Sequence, residues 1–394
     1  MRYFKSKRAK MLKKNFATGL YSNWDSFIDV DNKVLEWLRK TDKVRPKGIV
    51  LENVEEVSYI LDKALIEGGK EFLISDRLYS KLNSIFKIKR RALGGNGFHM
   101  GKALYELGLE PLVSYPCRPS SIMLASPNFK VACKGSIKSP KEAIRENDPE
   151  YDHLIFEFKR DLRKGIKNTG RQIFSWDLMS SMGIFDYDFL KRASDSNFTD
   201  VLMIGYAHLL LPDYKSKTDG IIEYLNNPRR PKVHFELGKG SENSVRYAMK
   251  KFSDNNCCES WGMNEDECFT YFEAKSMNLK DLIDVAIEGI KIYGLKRICV
   301  HSADFAFSIS KYDVKRELEA LEMGCIAATA LTLGSIKDNL NRAKSLPRSN
   351  VEPIKKRIDG YNLCLIPTFL NEEPKILTGL GDTFAGIQAA MALN

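Results

Sequence analysis

The sequence predicts an α/β protein in which helices cover a central, mostly parallel sheet. Two observations favour this class. Short apolar runs of strand length alternate with helical patterns along the distal half of the chain, and glycine-rich turns follow several of the apolar segments. In addition, strands that are separated by helices form parallel sheets whose two faces are covered. At 394 residues the chain is long enough to bury large cores without disulfides.

Along the chain, the first clear element is a helix over residues 52–69, where apolar residues recur at helical spacing and Gly68-Gly69 ends the pattern. A second unit runs from Leu93 through Gly94-Gly95-Asn96-Gly97 into a helix that ends at Gly108. The apolar segment 111–115 follows it. Strands are predicted distally at residues 201–205, 233–237, 298–301 and 363–367.

Two stretches interrupt this alternation. Residues 29–90 and 118–158 mix polar turns with short β-like runs, including 130–134 and 153–158. We interpret them as one smaller, discontinuous lid domain. The larger nucleotide-binding domain then comprises residues 1–28, 91–117 and 159–394, with approximate boundaries.

The charge distribution argues against a nucleic-acid binder. The net charge is +10, but seven basic residues precede the first acidic residue, Asp25, so the rest of the chain carries only about +3. We expect no membrane span, because no apolar run approaches about 18 residues. The eight cysteines, without a secretory signal pattern, predict reduced thiols and a cytoplasmic protein. The oligomeric state stays open.

The strongest local signal lies at residues 376–386, where a strand-like run precedes Gly379-Leu380-Gly381-Asp382 and a helical pattern. Glycines expose backbone N–H groups, and a helix start adds a partial positive charge, so Gly379, Leu380 and Gly381 form a predicted anion hole. Asp382 at its rim is placed to accept a proton. The alternative is an Asp that caps the helix.

Other short motifs allow two readings each. His234 and Glu236 share one face of a predicted strand. They form either a buried polar pair or an outer-sphere magnesium and phosphate site. Asn264 and Glu265 precede a helix, where they either cap the helix or belong to that magnesium and phosphate site. Asn23-Trp24-Asp25 either binds vicinal hydroxyl groups or forms an Asx turn.

In this order along one chain, the motifs resemble the ADP-dependent sugar kinases, the glucokinases and phosphofructokinases of the ribokinase-like superfamily. The resemblance rests mainly on His234-Phe235-Glu236 and on Gly379-Leu380-Gly381-Asp382-Thr383, which match the family's HxE and GLGDT motifs. It implies a ribokinase-like fold with a lid, and transfer of a phosphoryl group from ADP to a hydroxyl of a sugar or sugar phosphate, releasing AMP. Glucose and fructose 6-phosphate are the acceptor types that it implies.

The resemblance also implies residue roles. Asp382 is the expected catalytic base, His234 and Asn264 the nucleotide or phosphate ligands, and Glu236 and Glu265 the carboxylates that act on Mg²⁺ directly or through water. The expected acceptor-binding residues are Asn23, Asp25, Glu71, Gly94, Gly95, Asn96 and Arg171.

Departures from the family pattern leave the acceptor open. Phe384-Ala385-Gly386 and Trp261-Gly262 replace the residues more usual there. One alternative is therefore a kinase of this fold that phosphorylates a nucleoside or a sugar 1-phosphate, or that uses ATP. An alternative of another class is a non-catalytic regulatory homologue that binds polyanions through its basic leading segment.

Overall fold

A computed structural model gives the fold of the chain. It describes residues 11–394 except for 12, 49, 177–183, 207, 208, 210, 212 and 239. Five of the seven basic residues of the leading segment therefore lie outside the described residues.

In chain order the strands are β1 (Phe16–Gly19), β2 (Asn23–Asp29), β3 (Val50–Leu51), β4 (Glu71–Ile74), β5 (Arg90–Gly94), β6 (Leu112–Val113), β7 (Val131–Cys133), β8 (Ser136–Lys138), β9 (Asp152–Phe158), β10 (Gly170–Trp176), β11 (Val201–Tyr206), β12 (Lys232–Leu237), β13 (Ser260–Asn264), β14 (Arg297–His301), β15 (Phe305–Ser310), β16 (Ile354–Ile358) and β17 (Tyr361–Pro367). The α-helices are α1 (Asn32–Lys40), α2 (Val54–Glu67), α3 (Asp76–Ile85), α4 (Asn96–Glu106), α5 (Ser120–Ala125), α6 (Tyr187–Ala193), α7 (Tyr214–Leu225), α8 (Glu242–Asp254), α9 (Glu265–Tyr271), α10 (Leu279–Ile292), α11 (Val314–Thr332), α12 (Ile336–Lys344) and α13 (Leu380–Ala392).

The chain divides into two compact units. Unit 1 comprises Gly95–Arg145 and the described parts of Met1–Ser22 and Phe185–Asn394, and unit 2 comprises Asn23–Gly94 and the described part of Glu146–Ile184. These ranges differ from the boundaries expected from the sequence. Residues 118–145 belong to unit 1 rather than to the smaller unit, whereas 23–28, 91–94 and 159–176 belong to unit 2.

The large sheet of unit 1 has the strand order β16-β17-β15-β14-β13-β12-β11-β1-β6. From β6 to β14 all neighbours are parallel, while β15, β16 and β17 pair antiparallel. The mostly parallel sheet expected from the sequence is therefore present. The strand-like segment expected at 376–378 is not a strand, because these residues lead irregularly into α13.

Helices cover both faces of this sheet. On one face, α4, α11 and α13 pack on apolar residues of β1 and β11, such as Phe16 and Met203. On the other face, Phe252 of α8 packs against Phe235 of β12, with ring centroids 4.2 Å apart, and against Trp261 of β13. Successive residues of these strands thus point into two buried layers, one on each face of the sheet. The carboxyl ends of the parallel strands lie at one edge, where open α/β sheets bind ligands.

Unit 2 is built on a mixed sheet with the order β3-β4-β10-β9-β2-β5. One face carries Leu154, Phe156 and Phe174, which pack against α1, α2 and α3 in a separate apolar core. Because successive residues of a strand point to opposite faces, the other face carries Asp25, His153 and Arg171. The expected helix at 52–69 is α2, whose N-cap Asn53 accepts a hydrogen bond from Glu56 N–H.

Within the described part of the chain, no single helix is long and apolar enough to cross a membrane. Helices α11 and α12 reach that length and composition only as a pair, and they are bent by 113° at their junction.

Candidate active site

The first turn of α13 carries the glycine-rich motif. Gly379 is the N-cap residue and has φ +72°, a left-handed conformation that glycine adopts without steric cost. A β-carbon there would also lie 2.5 Å from Nδ1 of His99. Leu380 is the first helical residue and Asp382 the third, and Asp382 is half-buried. Because Gly379 occupies the capping position, Asp382 is not the capping residue of this helix.

A buried polar network lies on β12 and its neighbours. Nε2 of His234 is 3.3 Å from Oε2 of Glu236, and Nδ1 of His234 is 2.9 Å from Oγ of Ser260. Arg297 donates to the same Ser260 Oγ at 3.2 Å, and its Nε donates to both oxygens of Glu317 at 3.0 Å. The parallel register of β12, β13 and β14 brings these side chains together.

The Glu236 carboxylate sets the tautomer of His234. An ionised carboxylate can only accept hydrogen bonds, so the N–H of His234 is on Nε2 and donates to Glu236. Nδ1 then accepts from Ser260 Oγ, which itself accepts from Arg297. Burial lowers the pKa of His234, which keeps the imidazole neutral. Burial by itself raises the pKa of Glu236, but hydrogen bonds from His234 and His301 outweigh it, so the pKa is lowered and the carboxylate stays ionised.

The other oxygen of Glu236 contacts His301, a residue that the sequence analysis did not single out. Nε2 of His301 is 2.9 Å from Oε1 of Glu236. Burial alone lowers the pKa of His301, but the hydrogen bond and charge of Glu236 outweigh it, so the net shift is upward. Its ring lies 5.1 Å from that of Phe384, one turn into α13. His301 therefore links the HxE strand to the helix that carries Asp382.

Beside His301 lies a cavity of about 430 Å³. Its wall is mainly apolar, with a few polar groups from Glu265, Thr329 and Asn371. Other lining residues are Ala306, Cys325, Ala328, Phe369, Leu377, Leu380, Gly381 and Phe384. A cavity of this volume and lining has the character of a small-molecule site, and it opens beside the start of α13.

The structure gives Asn264 a clear local role. Its side chain accepts from Glu267 N–H at 2.9 Å while the Glu267 carboxylate accepts from Asn264 N–H at 2.9 Å, a capping box at the start of α9. Burial raises the pKa of Glu267 to about 8. Glu265, the first residue of α9, lines the cavity, and burial raises its pKa as well. The predicted phosphate contact of Asn264 stays a prediction.

The second glycine-rich turn begins α4 in unit 1. Gly95 is the N-cap, and Asn96 is the first helical residue, whose Oδ1 accepts from Gly97 N–H at 2.7 Å. The Asn96 side chain packs against Gly205 of β11, where a β-carbon would lie 2.1 Å from Asn96 Cγ. The turn is thereby held at the carboxyl end of the central strands.

The carboxylates of Glu236 and Glu265 fit magnesium in an outer-sphere arrangement. Among the described residues, no group of three or more His, Cys, Asp or Glu side chains is arranged to hold a metal ion. Both oxygens of Glu236 already accept imidazole hydrogen bonds. Mg²⁺ keeps several waters and is held by one or two carboxylates together with substrate phosphates, so Glu236 and Glu265 suit contact through water.

In unit 2, the predicted acceptor-binding residues form a second cluster. Nδ2 of Asn23 donates to Oδ1 of Asp25 at 3.0 Å, and Nδ1 of His153 lies 3.7 Å from the same oxygen. Gly94 ends β5 opposite Asn23 and packs against the Asp25 carboxylate. Burial raises the pKa of Asp25 to about 6, although His153, Arg171 and Asn23 oppose the shift.

Glu71 and Arg171 lie on the same face of this sheet as Asp25. Glu71 of β4 pairs with Ile173 of β10 and accepts a hydrogen bond from Ser175 Oγ. Arg171 pairs with Glu157, two positions before Ile173 on β10. The face therefore presents both a carboxylate and a guanidinium to any ligand bound there.

Sequence reasoning missed His301 and His153. His301 is the last residue of a correctly predicted strand, so its position at the carboxyl end of a parallel strand was a usable signal. His153 begins the β-like run expected at 153–158, which was interpreted only as part of the lid domain, and it is the second residue of β9. Nothing local to the sequence shows that Ser260 or Arg297 belongs to the same network.

Comparison with known proteins gives a consistent result. The sequence model of the ADP-specific Phosphofructokinase/Glucokinase conserved region matches residues 14–390. The chain is similar to the ADP-dependent glucose/glucosamine kinase of Pyrococcus abyssi, with 27% identity over 92% of this chain and 97% of that protein. It is also similar to the ADP-specific phosphofructokinase of Thermococcus kodakarensis, with 25% identity over 79% of each chain.

A similar fold is found in a solved structure described as an ADP-dependent kinase complex with fructose-6-phosphate and ADPbetaS. The TM-score is 0.78 at 15% identity, covering 100% of this chain and 97% of that one.

Proposed function

Since this chain belongs to the ADP-specific phosphofructokinase/glucokinase family, we propose that it transfers a phosphoryl group from ADP to a hydroxyl of a sugar or sugar phosphate and releases AMP. The observation that carries the proposal is the first turn of α13. There the positive-φ Gly379 starts a helix with Asp382 in its first turn, beside a cavity lined by Leu380 and Gly381.

Backbone N–H groups, a carboxylate and the apolar cavity have separate roles in the proposed reaction. The N–H groups of the first helical turn have no partners within a helix, so at Gly379, Leu380 and Gly381 they bind oxygens of the transferring phosphoryl group and stabilise its charge. Asp382 accepts the proton of the attacking hydroxyl as the new O–P bond forms and the bond to AMP breaks. The apolar cavity holds the nucleoside of ADP.

Acceptor binding is assigned to the polar face of unit 2. Asn23 and Asp25 hold sugar hydroxyls there, with Glu71 at the same face. A guanidinium binds phosphate through two parallel hydrogen bonds, so Arg171 is the candidate for a phosphorylated acceptor. Glucose-type and fructose 6-phosphate-type acceptors both remain in the proposal, because carboxylate and guanidinium are both present. Gly94, Gly95 and Asn96 form the turn between β5 and α4, which is also proposed to contribute to acceptor binding.

Mg²⁺, when bound, supplies charge neutralisation on the phosphate oxygens. Glu236 and Glu265 are the residues proposed to hold it through water, and His234 orients Glu236. A cytoplasmic location is also part of the proposal. Its support is that all eight cysteines are free thiols, as in reducing compartments.

The test is the release of AMP from ADP by the purified protein. Glucose, glucosamine, fructose 6-phosphate, a nucleoside and a sugar 1-phosphate are offered as acceptors, with ADP or ATP as donor and Mg²⁺ present. We expect AMP only when an acceptor is present, and a higher kcat/KM with ADP than with ATP. A preference for ATP across acceptors refutes the donor. The absence of AMP with every acceptor refutes the proposed reaction.

A further inference from the structure

His301 lies between two parts of the candidate site in unit 1. On one side, its Nε2 is 2.9 Å from Oε1 of Glu236. On the other side, a β-carbon placed on Gly381 would lie 3.1 Å from its Cε1, so the imidazole lies directly against the first turn of α13. The side chain also lines the nucleotide-sized cavity. His234, the other imidazole that contacts Glu236, is not among the residues that line this cavity.

The two oxygens of Glu236 are held in different ways. Oε2 accepts from His234, whose Nδ1 contacts Ser260 Oγ, and the chain of contacts continues through Arg297 to its fully buried partner Glu317. Oε1 is held by His301. Loss of His301 thus leaves the carboxylate with a hydrogen bond at only one oxygen, so its orientation is less firmly held.

We propose that His301 is a positioning residue for phosphoryl transfer. It donates a hydrogen bond to Glu236 and packs against the first turn of α13, and so fixes the orientation of the carboxylate relative to that turn. This inference rests on the proposed function. His301 acts through Glu236 and the helix rather than by contact with the reacting atoms. Its removal is therefore expected to reduce kcat more than the affinity for either substrate.

Three substitutions separate the hydrogen bond from the packing. His301→Gln keeps an N–H donor close to the place of Nε2, and His301→Leu keeps bulk but no donor. His301→Asn keeps a polar amide that is too short to reach Glu236. The matched control is Ser308→Ala on the adjacent strand β15, because the Ser308 hydroxyl is buried and has no hydrogen-bond partner among the described residues.

The experiment measures kcat and both KM values, the melting temperature, and ADP affinity by calorimetry with and without Mg²⁺. Because a 1 Å misplacement can cost about 10²-fold, we expect His301→Leu and His301→Asn to lower kcat by roughly that factor with KM values within about threefold. His301→Gln is expected to recover at least about tenfold of this loss. The gain in ADP affinity on adding Mg²⁺ is expected to shrink in the Leu and Asn variants only.

The outcomes are distinct. If the wild type releases AMP and a folded His301→Leu or His301→Asn variant keeps its kcat, the positioning role is overturned while the proposed function stands. Equal losses in His301→Gln and His301→Leu also overturn it, because the hydrogen bond then does not matter. A wild type that forms no AMP from ADP overturns the proposed function, and this inference falls with it.

Discussion

Gly262 on β13 leaves the space that the Glu236 carboxylate occupies. A β-carbon at this position would lie 1.9 Å from Oε2 of Glu236 and 2.9 Å from Nε2 of His234. Contacts below 3.0 Å do not persist, so Gly262→Ala must move the carboxylate by 1.1 Å or more. Such a shift exceeds the tolerance of the 2.9 Å bond to His301 and the 3.3 Å contact with His234.

The expected consequence is a loss of activity larger than the loss of stability. Misplacement by about 1 Å can lower the rate about 10²-fold, and overpacking of a core typically costs about 1–3 kcal/mol. The glycine sits in extended backbone, so alanine brings no strain of backbone conformation. We therefore expect a folded variant whose kcat for ADP-dependent phosphorylation falls roughly 10²-fold.

Initial-rate kinetics with saturating acceptor measure the effect, and thermal denaturation measures the stability. The control is Gly220→Ala in α7, where a β-carbon would meet no atom within 4 Å. This variant is expected to keep wild-type activity and to gain about 0.5–1 kcal/mol of stability from lower backbone entropy in the unfolded chain. Wild-type kcat in a folded Gly262→Ala variant would refute the reasoning, because the position of Glu236 would then be irrelevant.

Three further predictions concern the other assigned residues. Asp382→Asn should lower kcat by roughly 10²-fold or more without changing the melting temperature, because Gly379 and not Asp382 caps α13; near-normal turnover with saturating acceptor would contradict the base assignment. Arg171→Ala should raise KM mainly for phosphorylated acceptors and Glu71→Ala mainly for unphosphorylated ones, as steady-state kinetics with both acceptor types will show; equal effects on both types would reject these roles. Because burial raises the pKa of Asp25 to about 6, its carboxylate gains a proton as the pH falls through that value, so KM for the acceptor should rise between about pH 7 and about pH 5. In Asp25→Asn, KM for the acceptor should be high and independent of pH over this window. A wild-type KM that does not change over this window would argue against Asp25 as the carboxylate that accepts hydrogen bonds from the sugar hydroxyls.

Several features of the chain could be read from the sequence because their signals are local. The helix α2 shows its apolar periodicity and its stop at Gly68-Gly69 within 20 residues. His234 and Glu236 are two residues apart on one strand, so their shared face follows from the period of a strand. The glycine motif at 379–381 likewise combines a turn and a helix start within a few residues.

The division into two units required the tertiary structure. Residues 118–145 resemble an excursion in sequence, but they belong with the large sheet, whereas β10 joins the smaller one. The antiparallel pairing of β15, β16 and β17 also depends on which strands meet, and local apolar runs carry no information on that.

The network around Glu236 also depends on the tertiary structure. His301 is 65 residues from Glu236, and Arg297 is 37 residues from Ser260, yet the pairing of three parallel strands brings all four side chains into one network. By itself the sequence identified candidate residues for the chemistry, because motifs and periodicity act over a few neighbours. Only the fold decided which of them touch, because strand pairing and side-chain packing join residues distant in the chain, and the free energy of burial is gained only when those surfaces meet.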